Sequence, residues 1–119
     1  MIKLSIETRK LEDIENIPGQ VLNDMFTPEE LAGSNRITLA GKLAAKTAFL
    51  RNAGLADSSW HYGKTEVIKT PSGKPSLRII DAELSDRISG FKTSLSISHT
   101  QKMAIAICVF YGTGCPKKK

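Results

Sequence analysis

Residues 93–110 read Thr93-Ser94-Leu95-Ser96-Ile97-Ser98-His99-Thr100-Gln101-Lys102-Met103-Ala104-Ile105-Ala106-Ile107-Cys108-Val109-Phe110. The first six alternate polar and apolar, the period of a strand with one buried face. Four polar residues, His99 to Lys102, make a turn. Met103–Phe110 is then apolar on both faces, and a strand of that kind belongs in the interior of a sheet. This stretch predicts a mainly antiparallel sheet with its last strand at the centre.

Working outward, Ile2, Leu4 and Ile6 alternate with Lys3 and Ser5 and predict a strand over 2–6. Thr8 is placed to cap a helix whose inner row is Leu11, Ile14 and Ile17, stopped at Pro18-Gly19. Thr27-Pro28-Glu29-Glu30 is a helix start with a capping box and proline at the first helical position. After Ser34-Asn35 the longest helix runs from Ile37 to Ala53 and ends at Gly54, a natural residue for the left-handed stop. On it Lys42 and Lys46 lie about 40° apart, as do Thr47 and Arg51 on another side, so the helix has two polar edges. Thr65–Thr70 and Ser76–Ile80 flank the turn Pro71-Ser72-Gly73-Lys74-Pro75 as a hairpin, and 81–88 reads as a short helix. The order β-α-α-α-β-β-α-β-β predicts an α+β fold with helices on one face of a mainly antiparallel sheet.

A chain of 119 residues makes one domain, here 1–113, followed by a basic tail over 114–119. At 40% apolar and 24% charged it is globular rather than disordered. No apolar run approaches a membrane span and the first residues lack a signal-peptide plan, so the expected location is cytoplasmic, with no membrane partner. Cys108 and Cys115 are too few for a disulfide scaffold; Cys108 reads as core and Cys115 as a free thiol. With His61 and His99 alone, a histidine-rich metal site is excluded. Trp60, His61 and Tyr62 read as packing beneath a loop.

The net charge of +5 is unevenly spread. Residues 1–30 carry three basic and seven acidic side chains, hence −4; residues 31–119 carry fourteen and five, hence +9. That balance suits a polyanionic partner or a phosphate-bearing cofactor. Nucleic acid is disfavoured because no binding motif is present and aromatics are only 6%.

Four segments carry a family resemblance: Phe26-Thr27-Pro28-Glu29-Glu30-Leu31, residues 39–49, Gly73-Lys74-Pro75, and Ser94-Leu95-Ser96-Ile97-Ser98-His99-Thr100. Their order and spacing over about 75 residues resemble the holo-acyl-carrier-protein synthases, the small phosphopantetheinyl transferases. The likeness implies transfer of phosphopantetheine from coenzyme A to a serine of an acyl carrier protein, in a homotrimer whose cofactor cleft lies between subunits. It implies a magnesium ion on the pyrophosphate, held by an aspartate after the first strand and a glutamate in the central helix. Phosphoryl-type transfer needs such charge neutralisation.

Carried over residue by residue, Lys46, Arg51 and His99 would be the catalytic set. Lys42, Gly54, Gly73, Lys74, Pro75, Ser98, His99 and Thr100 would border coenzyme A. The family's metal-binding glutamate is Thr47 here. An ungapped register places Glu7 at the aspartate, whereas the alternative register places Ser5 there. Magnesium is therefore expected at a weakened site with Glu7 as its ligand, and little or no transfer onto a generic carrier protein is expected at ordinary magnesium concentrations. Asp13 stands where the family presents an arginine to the carrier, and with Glu12 and Glu15 it opposes an acidic one. The alternative is a degenerate homologue that binds coenzyme A or a carrier protein without efficient transfer.

Overall fold

The alternating and apolar strands pair as their periods require. In the computed structural model, which describes residues 2–55 and 59–112, the chain forms β1 (Ile2–Lys10), α1 (Leu11–Glu15), α2 (Gly19–Met25), α3 (Pro28–Ala32), α4 (Arg36–Asn52), α5 (Ser59–Tyr62), β2 (Thr65–Lys69), β3 (Pro75–Ile79), α6 (Ala82–Arg87), β4 (Lys92–His99) and β5 (Met103–Tyr111). The basic tail and Cys115 lie outside the described residues. The strands form two antiparallel sheets, β1-β5-β4 and the hairpin β2-β3. β5 is central, with Ile6↔Ile107 on one side and Ser96↔Ile107 on the other.

Helix α4 lies across β5 and β1. Its ends follow the local signals. The Asn35 side chain accepts from the Thr38 N–H at 2.9 Å. At the other end Gly54 takes φ +75° while Leu55 N–H donates to Leu50 O and Gly54 N–H to Arg51 O. That double bond pattern is a Schellman stop, which only glycine adopts without steric cost. Close approach to the sheet requires a second glycine. A Cβ at Gly41 would stand 2.8 Å from Ile97 Cγ2. Ala44, Ala45 and Ala48 continue this small-residue face, fully buried, and Phe49 meets Phe110 edge-on at 5.1 Å between ring centres.

Three expectations are corrected. The first strand runs on to Lys10 because β5 continues its ladder as far as Met103, so Thr8 pairs with Ile105 and caps nothing. Lys10 is the residue before α1, and its N–H donates to Asp13 Oδ2 at 2.8 Å. The first helix stops earlier than expected, at Glu15, so Ile17 falls outside it, and Pro18 precedes a further helix, α2, whose entrance its fixed φ suits. The expected element order lacks the short helix α5, on which the Tyr62 side chain is buried.

Among the described residues no helix lies over the outer face of the large sheet. Ile2, Leu4 and Ile6 of β1 and Met103, Ile105 and Tyr111 of β5 stay exposed, Ile2 by 73% and Ile105 by 38%. Because side chains alternate along a strand, this apolar row is the necessary counterpart of the buried Ala104, Ala106, Cys108 and Phe110.

Candidate functional site

The motif Thr27-Pro28-Glu29-Glu30 forms the capping box expected of it, but inside the core. Glu30 N–H donates to Thr27 Oγ1 at 3.2 Å and Thr27 N–H to Glu30 Oε1 at 2.9 Å. Glu30 is 1% exposed and also accepts from the Val67 N–H through Oε2 at 2.7 Å. Its other partner is Lys46. The Lys46 ammonium is fully buried and donates to Glu30 Oε1 (2.8 Å), Met25 O (2.7 Å), Thr65 O (2.9 Å) and Tyr62 O (3.1 Å). Burial pushes its pKa down, with Glu30 opposing the shift. So the lysine expected among the phosphates instead ties α4 to α3, α5 and β2. An ammonium saturated by four oxygens has no donor left for a ligand.

Lys42, one turn earlier, is partly buried and donates to Ser34 Oγ at 2.7 Å and Glu30 O at 3.3 Å. Burial lowers its pKa as well. A second buried carboxylate completes this region: Glu66, 2% exposed, pairs with Arg78 and accepts from Thr27 Oγ1. Glu66 was not singled out in the sequence, and Glu30 only as the last residue of the capping box. Glutamates in a helix start and a strand read as solvent-facing unless their distant partners are known.

On the other edge of α4 the long β1 brings Glu7 and Arg9 to the helix, since residues two apart share a strand face. Arg51 Nε lies 2.6 Å from Glu7 Oε2, and Arg9 Nη1 lies 3.6 Å from Glu7 Oε1. Arg9 Nη2 donates to Thr47 Oγ1 at 2.8 Å. Thr47 is fully buried, and its hydroxyl donates to Leu43 O at 2.9 Å. Its oxygen therefore faces Arg9, with Tyr62 Oη at 3.4 Å. Ser5, the alternative to Glu7, donates to Asn52 Oδ1 at 2.7 Å and so serves the β1–α4 contact.

Tested as a divalent-cation site, this cluster does not fit. Glu7 is its single carboxylate, and each of its oxygens faces a guanidinium. The Thr47 oxygen already accepts from Arg9. Among the described residues no three His, Cys, Asp or Glu side chains come together as a metal-holding group. The expected magnesium ligand Glu7 is thus an ion-pair partner of two arginines. Arg9 was missed because the strand was read as ending at Ile6; extending the alternation to Lys10 would have put it beside Glu7.

The remaining expected residues stand elsewhere in the protomer. His99 closes β4, exposed, with Nδ1 3.1 Å from Thr100 O. It pairs laterally with Ala104, which pairs with Arg9. Two strand spacings, about 9.5 Å, thus separate the His99 and Arg9 backbones. Thr100 Oγ1 accepts from the N–H groups of Lys102 and Met103 and holds the β4–β5 turn, while Ser98 is exposed. Gly73, at φ +88°, and exposed Lys74 form the tip of the β2–β3 hairpin. Lys74 and Pro75 border a groove against Thr93, Ser94 and Leu95 of β4. Gly54 is the Schellman residue, and a Cβ built there would meet none of the described residues within 4 Å. Within one protomer, then, Glu7 and Arg51 come together, and the His99 edge and the hairpin tip remain apart from them.

No family model matches the chain. Individual relatives do. It is 35% identical over 112 residues to the holo-[acyl-carrier-protein] synthase of Halothermothrix orenii, covering 87% of this chain and 90% of that one. The holo-[acyl-carrier-protein] synthase of a Hydrogenobaculum species is 32% identical over 100 residues, covering 80% and 81%. Among solved structures, the Chronobacterium ammoniagenes ACPS–CoA complex superposes with a TM-score of 0.79 at 23% identity, covering 96% of this chain and 99% of that one. The Helicobacter pylori holo-[acyl-carrier-protein] synthase in complex with coenzyme A gives 0.78 at 22% identity, covering 92% and 100%. The structural likeness establishes the common fold. Sequence identity above 30% along most of both chains establishes the descent: the chain belongs to the holo-[acyl-carrier-protein] synthase family.

Proposed function

We propose that the protein is a cytoplasmic phosphopantetheinyl transferase, moving phosphopantetheine from coenzyme A to a serine of an acyl carrier protein. The observation that carries this reading is the 35% identity to a holo-[acyl-carrier-protein] synthase over 87% of the chain. In the reaction the serine oxygen attacks the phosphorus that bears pantetheine. The bond from that phosphorus to the bridging oxygen breaks, adenosine bisphosphate leaves with the electron pair, and the serine proton passes to solvent or a nearby base. Such a transfer needs fixed positive charge around the pyrophosphate. Arg9 and Arg51 supply it at the β1–α4 edge. His99 and Ser98 border the phosphates from the β4 end, and Gly73-Lys74-Pro75 borders the adenine from the hairpin.

Lys46 serves this site as a positioning residue, holding the α3–α4–β2 corner on which the helix depends. The magnesium ion that the family resemblance implies would find one carboxylate shared with two arginines, so no step is routed through it. We propose a homotrimer built on the outer face of the β1-β5-β4 sheet. The support is the apolar row Ile2, Leu4, Ile6, Met103, Ile105 and Tyr111, which stays exposed among the described residues. Assembly of that kind would bring one subunit's hairpin and His99 edge to another's arginines.

The test is intact-mass spectrometry of apo carrier proteins incubated with coenzyme A and the protein. Because exposed Glu12, Asp13 and Glu15 on α1 oppose an acidic partner, carriers of differing net charge are compared. Conversion of at least one carrier by the mass of one phosphopantetheine is expected. Saturable coenzyme A binding without conversion of any carrier would overturn the reading as a transferase.

A further inference from the structure

We propose that Arg9 stands in for the divalent cation in this chain: its guanidinium, held between Glu7 and Thr47, is the positive charge that the substrate's pyrophosphate meets, and coenzyme A binds without a metal ion. The inference rests on the transferase reading above.

The geometry makes the substitution specific. In the family resemblance two carboxylates carry the ion, one from the first strand and one from the central helix. Here the strand position is Glu7, the helix position is the neutral Thr47, and Arg9 contacts both, at 3.6 Å and 2.8 Å. The Thr47 hydroxyl is held from its other side as well, 2.9 Å from Leu43 O and 3.4 Å from Tyr62 Oη. Arg9 is oriented a third time by Nη1 donating to Thr8 O at 2.7 Å. These contacts leave part of its five-donor fork for a phosphate oxygen, and the side chain is 21% exposed. Arg51, 57% exposed, contributes a second guanidinium on the far side of Glu7.

The charge count points the same way. One glutamate and two arginines leave the cluster at +1 before any ligand arrives. A divalent ion entering it meets two fixed positive charges and one shared carboxylate. A pyrophosphate diester, with a negative charge on each phosphate, meets complementary charge. A guanidinium keeps its proton throughout the useful pH range, so this charge is permanent.

The experiment is calorimetric titration of coenzyme A into the full-length protein, once with magnesium and once in EDTA. Wild type is expected to bind within about twofold in the two buffers, and Arg9→Gln to bind about tenfold or more weakly in both. The double variant Arg9→Gln/Thr47→Glu exchanges the guanidinium for a second carboxylate and is expected to bind in magnesium but not in EDTA. Wild-type affinity that collapses in EDTA, or Arg9→Gln binding as tightly as wild type, overturns the inference and leaves the transferase reading standing. No coenzyme A binding by wild type in either buffer overturns both. The wild-type comparison needs no variant, so a poorly folded Arg9→Gln protein does not blunt the test.

Discussion

Replacing Lys46 by methionine distinguishes a lysine that holds the fold from one that holds a phosphate. Methionine keeps the length and apolar stem of the side chain but removes the ammonium. Glu30, 1% exposed, is then left as a buried carboxylate whose remaining donors among the described residues are the N–H groups of Thr27 and Val67. The carbonyls of Met25, Tyr62 and Thr65 also lose a donor. Breaking a buried ion pair from one side costs about 3–5 kcal/mol. Against a typical total of about 5–15 kcal/mol, that is a large fraction of stability. Urea unfolding of Lys46→Met should therefore show a much lower midpoint with little change in slope. The double variant Lys46→Met/Glu30→Gln removes the orphaned charge yet keeps an amide oxygen for one of the N–H donors. It should recover on the order of 1–3 kcal/mol of the loss. The reasoning is refuted if Lys46→Met unfolds within about 1 kcal/mol of wild type while losing coenzyme A affinity, for then the ammonium faces the ligand.

Three further outcomes are expected. Gly41→Ala places a methyl 2.8 Å from Ile97 Cγ2, a group fixed on a β-branched carbon. A net loss of about 1–2 kcal/mol should appear in urea unfolding despite alanine's better helix propensity, and it should shrink in an Ile97→Ala background. Burial pushes the Cys108 thiol up from 9.0 to about 12, with Asn52 opposing. The unfolded thiol ionises first, so this stabilisation is whole below 9.0 and declines as pH rises toward 12, by about 1.4 kcal/mol per unit. Stability measured across that window should fall less steeply for Cys108→Ala, and identical slopes would contradict the burial argument. Ile105→Glu on the outer sheet face should leave a folded monomer by light scattering and circular dichroism; a trimer that persists would move the interface elsewhere.

Much of the architecture was legible in residue order because it rests on local rules. The alternation over 93–98 identified a strand with one buried face, and the two-faced apolar run after it the central strand of the sheet. Asn35 and Gly54 marked the bounds of the long helix through bonds that span only a few residues. Gly73 likewise announced its hairpin. Where the reading of β1 failed, the cause was non-local: Thr8 has the chemistry of a cap, but the backbone partner opposite it, Ile105, is 97 positions away in the chain.

The site divides along the same line. The reading of Thr47 as standing at the family's metal-binding glutamate came from the resemblance alone, and with it the expectation of a weakened ion site. What faces Thr47 was not legible in residue order. Arg9 reaches it across 38 residues, and Lys46 finds Glu30 and the carbonyls of Met25, Tyr62 and Thr65 across 16 to 21. Periodicity tells which face of a helix or strand a side chain occupies. For long, charged side chains the destination depends on where distant acceptors fall, and burial of a charge is tolerable only when they do. The order and period of the residues determined the elements and the family likeness; only the tertiary packing decided that one lysine is structural and that an arginine fills the place between Glu7 and Thr47.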